Sequence, residues 1–253
     1  MSRRPTGVLI CCPAYGSTMR AETAETIYSI GQFLTRCGIA NQLAWFSAAD
    51  IAEVRNLFLT MWYDNQKQFS HMLFIDSDMG FSPELIRDFI KFDKPLMGAL
   101  YARREMTPSI VGNAPLGHSL KDAQDNHGFL PATALGGGVM WISRKMIDEM
   151  LRRKPELSDK MPEYLRKAMS RLEPSGMPRI LRMFDVIQSP DFGRLSEDVS
   201  FCHRVRDAGF EIWANVRHKI DHIGTFNYHL RYEGILEQKA KAAANAEIQQ
   251  VTA

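Results

Sequence analysis

His71-Met72-Leu73-Phe74-Ile75-Asp76-Ser77-Asp78-Met79-Gly80-Phe81-Ser82-Pro83-Glu84 is the stretch on which the fold turns. The run from His71 to Ile75 is apolar and of strand length, and it stops on two carboxylates. Ser82-Pro83 then opens a helix, with Ser in the capping position and Pro in the first turn, where a missing N–H costs nothing.

Working outward, the same alternation repeats. Gly7 to Cys12 is an apolar strand closed by Pro13. Thr23 to Cys37 carries Ile27, Ile30, Phe33 and Leu34 at helical spacing, and Gly38 stops it. Asn41 to Phe46 reads as a second strand. Asp50 to Asn65 reads as a helix capped by Asp50, with Ile51, Val54, Leu57, Phe58 and Met61 on one face. Pro95 to Tyr101 is a further strand. This order predicts an α/β fold, a Rossmann-type, mostly parallel sheet flanked by helices in a single domain. Ligands of such sheets sit beyond the carboxyl ends of the strands, which places Pro13-Ala14-Tyr15 and Asp76-Ser77-Asp78 on one rim.

The second half is less regular. Residues 107–132 are rich in Pro, Gly, Asn, His and Asp and predict no regular element; long excursions of this kind are often functional. Ala134 to Ser143 is three glycines leading into an apolar strand, and Lys145 to Arg153 is a short helix. Residues 155–182 are charged, Met-rich and broken by Pro155, Pro162, Pro174 and Pro178, so a mobile helical insert is expected. Phe184 to Ile187 reads as a strand, Ser196 to Ala208 as a helix ended by Gly209, and Glu211 to Asn215 as a strand. Glu237 to Ala253 reads as a solvated or frayed helix.

Composition narrows the class. Of 253 residues, 45% are hydrophobic and 24% charged, which suits a globular core and excludes disorder as the main state. Lys and Arg total 31 against 29 Asp and Glu, a net charge of +2. So small a balance gives no whole-molecule attraction to nucleic acid or anionic membrane, and no stable nucleic-acid binding is expected. No apolar run approaches the roughly 20 residues that span a bilayer, so no transmembrane segment is expected. The opening MSRRPTGVLICC reads as a first strand rather than a leader, and a cytoplasmic location follows. Cys11, Cys12, Cys37 and Cys202 form no C-x-x-C pair and are expected to be free thiols.

Several residues could carry chemistry. Asp76 and Asp78, one residue apart at a strand end, can reach one hard cation such as Mg²⁺ or Mn²⁺. An acidic turn is the alternative, but capping needs only one Asp. Glu197 and Asp198 in a first helical turn either complement the helix dipole or offer a base to a cleft. His222, in Asp221-His222-Ile223-Gly224, is a metal ligand or a half-buried imidazole with a backbone partner, and His218 is a neighbouring candidate. Gly136, Gly137 and Gly138 clear side chains for a close approach or make a tight bend. Arg55, Arg103 and Arg104 suit a diphosphate if they face the cleft.

Taken in order, these features resemble the GT-A class of nucleotide-sugar glycosyltransferases, most nearly the bacterial and phage relatives of family 2. The resemblance spans about residues 7–226, with gaps over 107–132 and 153–182, and the Asp-x-Asp, Glu-Asp and late His combination is its specific part. It implies that Asp76, Asp78 and His222 hold Mn²⁺ or Mg²⁺ against the diphosphate of a UDP- or GDP-sugar. Pro13, Ala14 and Tyr15 would contact base and ribose, Arg55 and Ser77 would help bind the donor, and Gly136 to Gly138 would lie under the sugar. Asp198, or in second place Glu197, would deprotonate the acceptor. The implied activity is that of a hexosyltransferase acting on a hydroxyl of a glycan, lipid or small molecule. It implies a catalytic domain over 1–233, with a donor half of about 1–105 and an acceptor half of about 106–233, and a tail over 234–253. A sugar-phosphate nucleotidyltransferase is a competing reading, although Pro13-Ala14-Tyr15-Gly16-Ser17 lacks the glycine-rich loop such enzymes carry after strand one. A non-catalytic nucleotide or sugar binder and a phage-type transferase acting on nucleic acid are the others.

Overall fold

The structure, a computed structural model, describes residues 5–105, 109–113, 117–169, 176–191, 193–224 and 227–251. The chain begins with β1 (Gly7–Pro13), α1 (Ala21–Arg36), β2 (Ala40–Phe46), α2 (Ile51–Asn65), β3 (His71–Ile75), β4 (Met79–Phe81) and α3 (Glu84–Phe92). Next come β5 (Leu96–Ala99), β6 (Tyr101–Ala102), β7 (Ile110–Val111), α4 (Leu120–Asp125), β8 (Phe129–Ala132), β9 (Val139–Ser143) and α5 (Arg144–Arg153). Then follow β10 (Ser158–Lys160), α6 (Glu163–Met169), β11 (Arg179–Leu181), β12 (Gln188–Ser189) and β13 (Gly193–Arg194). The last elements are α7 (Glu197–Asp207), β14 (Ile212–Asn215), β15 (Ile220–Ile223), β16 (Asn227–Leu230) and α8 (Tyr232–Val251).

Seven strands make the central sheet, in the order β2-β1-β3-β9-β5-β14-β8. β1 is parallel to β2 and β3, and β5 to β14. β9 runs antiparallel to β3 and β5, and β8 antiparallel to β14. Five strands thus share one direction, and the sheet is mostly parallel and helix-flanked, as expected.

Alternation along β1 builds two apolar layers. Leu9 and Cys11 face one layer with Phe58 and Trp62 of α2, Met146 and Met150 of α5 and Phe201 of α7. Val8, Ile10 and Cys12 face the other, with Ile27, Ile30 and Leu34 of α1 and Leu85 and Phe89 of α3. Asp50 caps α2 as its residue type suggests, accepting from the amides of Ala52 and Glu53 at 2.9 and 3.2 Å. The cysteines are free, with Cys11, Cys12 and Cys202 buried. Among the described residues no helix is long and apolar enough to cross a membrane.

The structure corrects several expectations. Pro95 to Tyr101 is not one strand but β5 and β6: the Leu100 amide makes a last bond to the Asn215 carbonyl of β14 at 3.2 Å, and Tyr101 then pairs with Val111 in a separate two-stranded sheet. The 107–132 stretch holds regular structure after all: β7, a Ser119-capped α4, and β8 at the sheet edge, where Pro131 is tolerated. Phe184 to Ile187 is a turn, held instead by the Phe184 amide on Asn56 Oδ1 at 2.8 Å. The 155–182 segment packs as a β10–β11 hairpin with α6, its Met161, Leu165, Met177 and Ile180 clustered with Leu57 of α2. Residues 170–175 of it lie outside the described residues. Of the expected 234–253 tail, residues 234–251 are helical and 252–253 lie outside the described residues; α8 starts earlier, at Tyr232, with Glu233 and Leu236 buried against the body.

A second sheet, β16-β15-β4, matters most for the site. β15 pairs antiparallel with β4 in a register that sets His222 opposite Met79. That pairing returns residue 222 to the end of β3.

Candidate active site

The carboxyl ends of β1, β2 and β3 enclose a cleft of about 300 Å³. Pro13, Ala14 and Tyr15 form one side, and Asp76, Ser77 and Asp78 another. Ala14 and Pro13 are buried, and the Ala14 amide is tied to the Phe46 carbonyl at 2.9 Å. Tyr15 opens a short 3-10 turn and is 74% exposed, so its ring stands at the rim. Gly16 has φ 65° in that turn, a left-handed conformation that favours glycine. Phe46, Ile51 and Val54 complete the apolar lining, which motif reasoning could not assign because they come from other elements.

Beneath the cleft, Arg55 organises the carboxylates. It projects from the buried side of α2 and is only 2% exposed. Nη2 donates to both Asp76 oxygens at 2.8 and 3.1 Å, Nη1 to the Gly137 carbonyl at 3.0 Å, and Nε to Glu197 Oε1 at 3.4 Å. Burial pushes the Asp76 carboxyl above its usual range, with Asp78 adding to the rise and Arg55 opposing it. Burial likewise raises Glu197, against the pull of Arg55. Arg55 therefore meets protein carboxylates rather than open solvent, and it joins the β3 end, the glycines and α7.

The glycines leave room for protein side chains. A Cβ on Gly137 would stand 2.5 Å from Arg55 Cζ, one on Gly138 would stand 2.8 Å from Tyr101 Oη, and one on Gly136 would overlap Tyr101 and Val111. Tyr101 Oη accepts from the Gly138 amide at 3.1 Å, and its ring meets the His222 ring edge-on at 5.4 Å. Asp198 fastens the same loop: Oδ2 accepts from the Gly137 amide at 3.1 Å, and Oδ1 from the Val199 amide at 2.8 Å and from the Ser196 hydroxyl. Tyr101 is the residue motif reasoning missed; its only signal was its place at the end of a strand.

Asp78 and His222 face each other. His222 Nδ1 is 2.9 Å from the Ala102 carbonyl, which can only accept, so in the neutral ring Nδ1 carries the proton. Nε2 then turns its lone pair toward Asp78 Oδ2, 3.6 Å away. Arg104 Nη1 lies 2.9 Å from that same oxygen. Burial works to raise the Asp78 carboxyl; a His222 ring protonated at Nε2 as well, donating to Asp78 in place of that lone pair, together with Arg104, outweighs it and holds the carboxyl below the usual range. An oxygen and a nitrogen acceptor held face to face fit a divalent cation. Among the described residues no three His, Cys, Asp or Glu side chains converge as a metal cluster. Asp76 is turned onto Arg55, and only Asp78 and His222 of the expected trio meet. His218 is elsewhere, its Nε2 2.8 Å from Asp88.

No family model matches the chain, and no curated protein matches it. Among solved structures it is similar to protein A197 from STIV, at 13% identity and TM-score 0.48 over 86% of each chain. It is similar to GalNAc-T7 with UDP, GalNAc and Mn²⁺, at 8% and 0.47, over 88% of this chain and 44% of that one. It is also similar to a mutant Drosophila beta1,4-galactosyltransferase 7 in complex with manganese, UDP-Gal and xylobiose, at 13% and 0.37, over 89% and 70%. At such identities and TM-scores the likeness carries neither substrate nor activity over to this chain.

Proposed function

We propose that the chain is a divalent-cation-dependent glycosyltransferase that moves a hexose from a UDP- or GDP-sugar to an acceptor hydroxyl. The observation that carries this reading is the Asp78–His222 pair, 3.6 Å apart, whose Asp78 lines the cleft that also bears Pro13, Ala14 and Tyr15. Asp78 and His222 would hold Mn²⁺ or Mg²⁺, with Asp76 contributing through water while Arg55 keeps it. When bound, the cation neutralises charge on the departing diphosphate. Pro13, Ala14 and Tyr15 wall the base and ribose, and Ser77 lies between the two acids on the donor side. Arg55 acts as a positioning residue, orienting Asp76 and Glu197 at once.

Asp198 is the proposed base. Glu197 is paired with buried Arg55, and protonating it would strip that cation of a partner. Asp198 Oδ2 accepts one amide and keeps a second lone pair for the acceptor hydroxyl. It takes the hydroxyl proton as the new C–O bond forms and the bond to the diphosphate breaks. Residues lining the cleft all precede 105, which supports a donor half of about 1–105 and an acceptor half of about 106–233.

Thermal shift and turnover test the reading together. UDP or GDP is expected to raise the melting midpoint in Mn²⁺ and not in its absence. Asp198→Asn is expected to keep that shift and lose sugar transfer. Metal-independent shifts, or full turnover in Asp198→Asn, would sink the reading; a shift with no turnover in either protein would mark a binder.

A further inference from the structure

The Asp78 oxygen that faces His222 is the same oxygen that Arg104 holds, Nη1 at 2.9 Å and Nε2 at 3.6 Å from Oδ2. A cation shared by Asp78 and His222 would sit beside the guanidinium on one oxygen, and like charges there repel. Arg104 is free to leave. Its side chain is 49% exposed, whereas Arg55 on the neighbouring acid is 2% exposed. Its planar N–H fork matches phosphate oxygens as well as carboxylate oxygens. It follows β6 by two residues and reaches the Asp78 carboxylate, which lines the cleft.

We propose that Arg104 is a resident counter-ion that exchanges partners on loading: it neutralises Asp78 in the ligand-free protein and passes to the donor diphosphate when cation and nucleotide bind. This rests on the metal reading of Asp78 and His222 above. The exchange gives Arg104 two opposite effects. It competes with the metal alone, and it favours metal and nucleotide together, so the two are loaded jointly.

Calorimetry on the full chain separates these effects, first with MnCl₂ alone and then with UDP or GDP at saturating Mn²⁺. Arg104→Ala is expected to bind Mn²⁺ alone about threefold more tightly, because a half-exposed ion pair is a modest competitor. The same variant is expected to bind the nucleotide about tenfold more weakly, since a charge-assisted hydrogen bond is lost. Arg104→Lys keeps the charge without the fork, so its Mn²⁺ affinity stays near that of the wild type while its nucleotide affinity falls. If Asp78→Asn abolishes Mn²⁺ binding but Arg104→Ala shifts only one affinity, neither, or both in the same direction, the exchange is overturned and the metal site stands. If Asp78→Asn leaves Mn²⁺ binding intact, the metal reading falls and the exchange with it.

Discussion

Two clusters of charge share the carboxyl end of the sheet, and they differ in how far the protein completes them. Around Arg55 the protein supplies every kind of partner, two carboxylates, a carbonyl and the Phe74 ring at 5.1 Å, and the guanidinium itself is closed off from solvent. Around Asp78 the acceptors outnumber the fixed donors among the described residues, and the cation paired with it, Arg104, is half in solvent. A buried charge must be matched by the chain itself, because no solvent reaches it. An acceptor pair whose cation is half in solvent can leave its match to a ligand. The comparison teaches how the acids of the Asp-x-Asp motif differ: Arg55 ties Asp76 to the scaffold, while on the proposed reading Asp78 is left to serve the ligand.

Breaking the closed cluster should cost most. Arg55→Ala leaves Asp76 and Glu197 facing each other without their cation, and a loss of about 3–5 kcal/mol is expected by urea denaturation, as for other broken buried pairs. A loss within the range of a surface pair, below about 1 kcal/mol, would show that Asp76 and Glu197 find water and that the cluster is not closed. Gly137→Ala comes next. The new methyl meets the Arg55 guanidinium at 2.5 Å from Cζ, and the Gly137 carbonyl and amide are fixed by Arg55 and Asp198. Overpacking of this kind costs about 1–3 kcal/mol. An unchanged midpoint would mean that the loop shifts freely and that Arg55 does not need the glycine.

The sequence makes the left half of this picture legible and hides much of the rest. β1, α1, α2 and β3 are local periodic signals, and the acids at the end of β3 follow from where an apolar run stops. Arg55 could be singled out by type as a diphosphate ligand, but its buried role in holding Asp76, Gly137 and Glu197 was not legible, because these partners lie 21, 82 and 142 residues away. The face of α2 opposite the sheet is covered by the 155–185 segment, through Asn56 to Asp185 at 2.6 Å and Leu181 to Thr60 at 2.9 Å, and no local pattern announces that cover. β8 was hidden by its Pro131, and β15 by its four-residue length. His222 could be singled out by type, but its place beside Asp78 depends on the β15–β4 register, which pairs it with Met79, 143 residues away.

The smallest expected effect sharpens the comparison from the open side. If Asp78 serves a ligand, its removal should hardly matter to the fold. Asp78→Asn is nearly isosteric, and the partners it loses are a half-exposed Arg104 and the edge of His222. Without metal, its stability in urea should therefore differ from the wild type by less than about 1 kcal/mol. Adding Mn²⁺ should separate the two proteins: the wild-type midpoint climbs with concentration by mass action, and the Asp78→Asn midpoint stays where it was. A metal-free loss as large as that of Arg55→Ala would make Asp78 part of the scaffold, and the division of labour between the two acids would not survive it.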